Sequence, residues 1–167
     1  MNYYTCICAA KNGKLEVLKW LFKSGLPLKK EVCIKAAKKG HLPVIQWAVK
    51  RGCKWDNRVC QYAACRGDLE MFVWASQNGC DCGEVDMIYT AIRNGHFELA
   101  KWMHQNGHKL TEPKILKKAA KMNNKELFVW AMINGCNHGN MTIQNLKDTN
   151  ASYEIINFAR DNGFARK

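Results

Sequence analysis

The chain has 167 residues and a mass of 19.1 kDa, with 47% hydrophobic and 24% charged residues. This suffices for one domain with a real core and excludes collagen-like, low-complexity and bulk-disordered classes. The net charge of +12 and pI near 9.4 favour acidic partners: nucleic acid, an anionic membrane or an acidic protein face.

In chain order, the sequence opens in a short helical segment, CICAAKN, and passes Gly13 into the block GKLEVLKWLFKSG. There Leu15, Val17, Leu18 and Leu21 fall on one side, with Glu16, Lys19 and Lys23 opposite. That is a helical period, not a strand period. CIKAAKK and GHLPVIQWAVKRG follow, then CQYAACR and GDLEMFVWASQNG, with Asp56 as a cap before the third first helix. IYTAIRN and GHFELAKWMHQNG come next. Thr111-Glu112-Pro113 then places a cap before a first-turn proline ahead of LKKAAKM and NNKELFVWAMING. In that copy Asn123 replaces the opening glycine, and Asn tolerates positive φ best. The last copy, Thr142 to Lys147 and ASYEIINFARDNG, has lost the alanines and puts Ala151 at the glycine register. A degenerate terminal copy is what a cap looks like.

These blocks are one repeat. Trp20, Trp47, Trp74, Trp102 and Trp130 are spaced 27, 27, 28 and 28 residues apart, and Gly25, Gly52, Gly79, Gly107, Gly135 and Gly163 keep step. The expected unit is a shorter helix, a tight turn, a longer helix ending on glycine, and a loop. Paired alanines in the first helices let neighbouring helices approach closely. One such pair cannot bury its apolar face, whereas stacked copies can. The sequence thus predicts an all-α solenoid of about six helix-turn-helix repeats, at about 2–25, 29–52, 56–79, 84–107, 112–135 and 140–163, as a single domain over 1–167 without a linker. No membrane span is expected: the longest apolar run, Leu127 to Ile133, has seven residues, against roughly 20 for a spanning helix. The first fourteen residues also lack the pattern of a secretory signal.

Ala-Ala-x-x-Gly-His-Leu-x-Val-Ile-x-Trp-Ala-x-x-x-Gly at Ala36–Gly52 resembles the ankyrin repeat, and Ala9, Ala10, Gly13, Leu15, Val17, Leu18, Leu21 and Gly25 fit the same pattern. The resemblance recurs along about the whole chain. The period of 27–28 is shorter than the family's roughly 33, and the family's T-P-L-H start is absent. The shortening falls in the loop, so the β-hairpin finger of the family is expected to be missing or reduced to a turn. The short unit and Gly52-Cys53-Lys54-Trp55-Asp56 look like the ankyrin proteins of large DNA viruses of amoebae. The resemblance implies a non-enzymatic protein-binding scaffold inside the cell, in host cytoplasm or nucleus if viral. It implies no cofactor and no small-molecule substrate. It also implies a structural role for His41 and His96, bonding to neighbouring backbone.

Nine cysteines, an odd number, are read as free thiols of an intracellular protein. Cys6, Cys33 and Cys60 share one repeat position on the buried side of the first helix; Cys53, Cys80 and Cys136 share another, after the closing glycine. Cysteine there acts as a small hydrophobe. The close pairs Cys6-Ile7-Cys8 and Cys80-Asp81-Cys82 are weak metal signals, because zinc sites favour paired clusters of ligands two to four residues apart; no metal is expected. No nucleophile with a partner base and no glycine-rich phosphate loop appears. The Trp series is expected to pack each ring against the next copy, with a buried Trp74 worth roughly 3–5 kcal/mol.

Charge carries the functional reading. Residues 1–66 hold 14 basic and three acidic residues, a net +11, and residues 114–125 hold five basic and none acidic. In ankyrin stacks the first helices line the concave face, which here would carry Lys11, Lys35, Lys38, Lys39, Tyr62, Arg66, Arg93, Lys118 and Lys121. The second helices would expose Glu16, Glu70, Glu98, Glu126 and Glu154 outside. The expected partner is a protein with an acidic surface, with Tyr62, Arg66 and Arg93 as anchors. The alternative is sequence-independent nucleic-acid binding through the same groove. Val73, Val129 and Ile133 fall at outer positions, where an apolar patch would serve a further contact.

Overall fold

Every helix in this chain is stopped at a residue that tolerates a left-handed backbone, and that rule sets the architecture. The computed structural model describes residues 3–82, 87–110 and 114–165. Among them are twelve α-helices and no strand. They fall into two compact units, Met1–Met87 and Ile88–Lys167.

The first unit holds α1 (Tyr3–Lys11), α2 (Leu15–Lys23), α3 (Lys30–Lys39), α4 (Leu42–Lys50), α5 (Arg58–Arg66) and α6 (Leu69–Gln77). Each odd helix packs on the even helix that follows it, and α3 also packs on both α1 and α5. Ala10, Ala36, Ala37, Ala63 and Ala64 are wholly buried, and Ala9 nearly so. The loops 24–29 and 51–57 carry no strand. Contrary to the expected short-long alternation, the odd helices here, of 9, 10 and 9 residues, are no shorter than the even ones of 9.

The second unit begins within α7 (Met87–Arg93) and continues through α8 (Phe97–Gln105), α9 (Lys114–Lys121), α10 (Lys125–Ile133), α11 (Ile143–Asp148) and α12 (Tyr153–Asp161). In it α9 packs on α10, α11 on α12, and α10 on α12. The starts of the fourth and fifth repeats, at 84 and 112, and the Thr111-Glu112-Pro113 cap lie outside the described residues.

The turn inside each pair is a Schellman motif. At the end of α3, Gly40 has φ 82° and donates its N–H to the Ala37 carbonyl at 3.1 Å, while His41 donates to Ala36 at 3.0 Å. His41 is then both the last residue of that turn and the N-cap of α4. A Cβ on Gly40 would lie 2.5 Å from Nη2 of Arg66, so the absence of a side chain there lets the next repeat's arginine lie on the turn. Asn123 takes the left-handed position with φ 50°, as expected. In the sixth copy the expectation fails by one residue. The left-handed residue is Asn150, φ 56°, not Ala151. Ala151 donates to the Leu146 carbonyl at 3.1 Å, and Ser152 is the N-cap. Alanine pays the steric cost of positive φ and asparagine largely escapes it. The turn therefore gains one residue and α11 shortens to six, held at its start by a capping box between Thr142 and Asn145. Asp56 does cap α5, but from one residue outside the N-cap Asn57, accepting the Arg58 backbone N–H at 3.1 Å.

The core is apolar throughout: no polar or charged side chain among the described residues is buried. Cys6, Cys33 and Cys60 are fully buried, as their shared position implies. The tryptophans do not lie as deep as expected. Trp47, Trp74, Trp102 and Trp130 are half-buried and Trp20 is 54% exposed. They pack edge-on or tilted against other rings, Trp47 on Phe22 at 5.7 Å and Trp74 on Trp55 at 5.1 Å. Val17 is likewise exposed, although Val44, Met71, Leu99, Leu127 and Ile155 at the same repeat position are buried. The first copy has no preceding copy in this chain to cover it. No helix among the described residues is long and apolar enough to cross a membrane.

Candidate protein-binding surface

A helix packed through alanines on two neighbours must turn its long polar side chains outward. On α1, α3 and α5 those residues are Lys11, Lys35, Lys38, Lys39 and Arg66, all exposed. Tyr62 is half-buried. The Lys38 ammonium sits 5.9 Å from the Tyr62 ring centroid, within cation–π range. Arg66 lies over Gly40, and the His41 ring packs over Gly13 with Nε2 3.1 Å from the Lys11 carbonyl oxygen. Side chains from one repeat thus cover the turn of the one before it. That contact to neighbouring backbone is the structural role the repeat pattern implies for His41.

The acids of this unit are already engaged elsewhere. Glu16 pairs with Lys19 at 2.6 Å and Asp56 with Arg58 at 2.7 Å. Glu31 accepts the Tyr3 hydroxyl at 2.7 Å. Among the described residues, no ion pair engages Lys11, Lys35, Lys38, Lys39 or Arg66. The positive excess of the first 66 residues is therefore left on one set of helices.

The Tyr3 hydroxyl, ahead of backbone and lysine contributions, holds the Glu31 carboxyl below its ordinary range, while burial and Glu31 push the Tyr3 hydroxyl up. A depressed carboxylate stabilises the fold above the unfolded pKa, about 4.3, and that contribution is lost as pH falls through the lower folded value. Tyr3→Phe should therefore flatten the stability-versus-pH curve below about pH 4.3 while leaving the curve above pH 6 parallel to wild type. Thermal melts across that range measure it.

In the second unit Arg93 on α7 and Lys121 on α9 are exposed, and Lys118 is half-buried. The acids on the even helices are exposed, as expected, and partly paired: Lys101 bridges Glu98 at 3.0 Å and Glu126 at 2.9 Å, and Lys125 meets Glu154 at 3.0 Å. Of the outer apolar positions, Ile133 is exposed whereas Val73 and Val129 are half-buried.

The thiols depart from the sequence reading. Cys60 and Cys82 form a disulfide, where free thiols were expected. Cys80 lies beside them, and the three sulfurs are all within 4.8 Å of one another. Burial raises the Cys80 thiol to about 11. One repeat earlier, Cys33 and Cys53 approach to 3.5 Å, and Cys53 donates to the Lys29 carbonyl at 3.2 Å. The signal for these meetings was present in the sequence. Both pairs, Cys33 with Cys53 and Cys60 with Cys80, are 20 residues apart, because the loop after one helix pair returns over the base of that pair's first helix.

No family model matches the chain, and no curated protein sequence matches it. Among solved structures it is similar to the crystal structure of the human ASB11 ankyrin repeat domain, with a TM-score of 0.64 and 16% identity, over 88% of this chain and 84% of that one. The fold is that of an ankyrin repeat solenoid.

Proposed function

We propose that the chain is a non-enzymatic protein-interaction scaffold that binds an acidic protein surface through the basic side chains of its first helices. One observation carries the reading. Lysines and arginines on α1, α3 and α5 are exposed and outside ion pairs, while the acids of the same unit are engaged elsewhere. The ankyrin fold supports it, since such repeats serve as binding scaffolds. Arg93, Lys118 and Lys121 extend the same reading to the second unit, with the chain 1–167 taken as one array of six repeats. Tyr62, Arg66 and Arg93 are the anchors, because arginine and tyrosine dominate interface energetics; the lysines raise the association rate and make it salt-sensitive. The likeness of the short unit to ankyrin proteins of large viruses of amoebae makes a host protein the partner, met in cytoplasm or nucleus.

The test is affinity capture from a host lysate, with and without nuclease, comparing wild type with the triple variant Lys35→Glu, Lys38→Glu, Lys39→Glu. All three positions are exposed, so the fold should survive. The expected result is an acidic partner retained after nuclease and weakened by about 10- to 100-fold in the triple variant. If the variant keeps every partner, the basic surface is not the interface. Loss of all captured material on nuclease treatment would instead establish the alternative, nucleic-acid binding through the same side chains, with affinity falling steeply in salt.

A further inference from the structure

We propose that Cys60, Cys80 and Cys82 form a thiolate site for one Zn²⁺ ion in the reduced protein, and that the Cys60–Cys82 disulfide is the closed, metal-free form of that site. C-x-C alone is a weak signal, and the fold supplies what the spacing lacked. Cys60 comes from α5, Cys80 is the last residue of the Schellman turn that closes α6, and Cys82 follows two residues on. The three sulfurs lie within 4.8 Å of one another. Zinc–thiolate bonds of about 2.3 Å put tetrahedral neighbours about 3.8 Å apart, so rotamer changes suffice to gather the ligands. All three residues are buried, at 0%, 8% and 6% exposure. Backbone contacts hold Cys80 in place: its N–H donates to Ala75 at 3.0 Å and its Sγ to the Asp56 carbonyl at 3.4 Å.

The neighbouring repeats make the third sulfur informative. The position of Cys82, three residues after the closing glycine, holds Leu28, Trp55, Leu110 and His138 in other copies. The second repeat therefore has two thiols and a tryptophan where the third has three thiols. Two buried thiols fill space as small hydrophobes. A third, placed where large side chains otherwise pack, completes a soft donor set that selects zinc or copper(I) over magnesium or calcium. Three thiolates and Zn²⁺ sum to one negative charge, against two for copper(I), so zinc is the ion more cheaply buried. Three protein ligands leave the fourth tetrahedral position to water.

The two states exchange in balanced steps. The disulfide accepts two electrons and two protons from a dithiol, which is itself oxidised to a disulfide, and the S–S bond opens to the Cys60 and Cys82 thiols. Zn²⁺ then displaces three protons, one from each sulfur. Reoxidation removes two ligands together and expels the ion.

The full chain, reduced with a phosphine under anaerobic conditions, would be titrated with Zn²⁺ against a chromophoric chelator and with Co²⁺ for thiolate-to-metal charge-transfer absorption. We expect one ion per chain, proton release on binding, and none bound by the oxidised protein. Cys82→Leu and Cys80→Leu place there the residue found at Leu28 and Leu26 in the first repeat, so both should keep native circular dichroism. Each should weaken zinc by more than about 100-fold, since even supporting residues around a metal cost 10–100-fold. Cys33→Ala should change nothing. Absence of stoichiometric zinc in the reduced wild type, undiminished binding in Cys82→Leu, or zinc retained by the oxidised chain would each overturn the assignment.

Discussion

Phe72→Ala should lower the unfolding free energy by about 3–5 kcal/mol, the cost of removing a buried phenyl group and leaving a cavity. Phe72 is fully enclosed on α6 and, with Phe128, heads the largest fully buried side chains. The same repeat position holds Leu18, Ile45 and Ala100 in other copies, so the volume it must fill is set by each copy's neighbours. Two residues along the same helix, Trp74 is half-buried against Trp55. Trp74→Ala should therefore cost less than Phe72→Ala, although tryptophan is the larger residue. Urea unfolding followed by far-ultraviolet circular dichroism, with both variants beside wild type, measures the order. Equal losses would mean that the enclosure of Phe72 does not control its contribution.

Ala37→Leu tests the opposite error, too much volume. Ala37 is fully buried on α3, the helix that packs on both α1 and α5. A close-packed contact has no room for three more carbon atoms, so helices must separate or side chains leave their preferred rotamers. Such overpacking costs typically about 1–3 kcal/mol. Lys38→Leu on the same helix adds a leucine at an exposed position and should stay within about 0.5 kcal/mol of wild type. The contrast separates packing from helix propensity, since both variants introduce the same residue one position apart. Ala37→Leu should also weaken partner binding, because it shifts α1 and α5, which carry Lys11 and Arg66, relative to Lys38.

These expectations rest on different layers of information. The helix pairs, their turns and the apolar stripe were legible from spacing, because a glycine or asparagine at fixed intervals marks each left-handed stop and the helical period marks each buried face. The exposure of the basic residues was legible for the same reason: once alanines occupy the contact, the remaining positions on a short helix have nowhere to point but outward. Three details were not. Ala151 looked equivalent to Asn123, yet the backbone moved its left-handed residue to Asn150, because alignment counts residues while sterics choose among them. The tryptophans marked the repeat faithfully but proved half-exposed, since periodicity locates a face and not its depth.

By itself the sequence determined the repeat, the all-helical class and the surplus of positive charge, all of which are properties of a chain's order and local stereochemistry. Only the tertiary structure decided which acids neutralise which bases, and that Cys60 shares one buried space with Cys80 and Cys82 across 20 residues of chain. The reason is physical. Ion pairs and ligand sets depend on distances between side chains a few ångströms apart, and those distances exist only after the helices have packed.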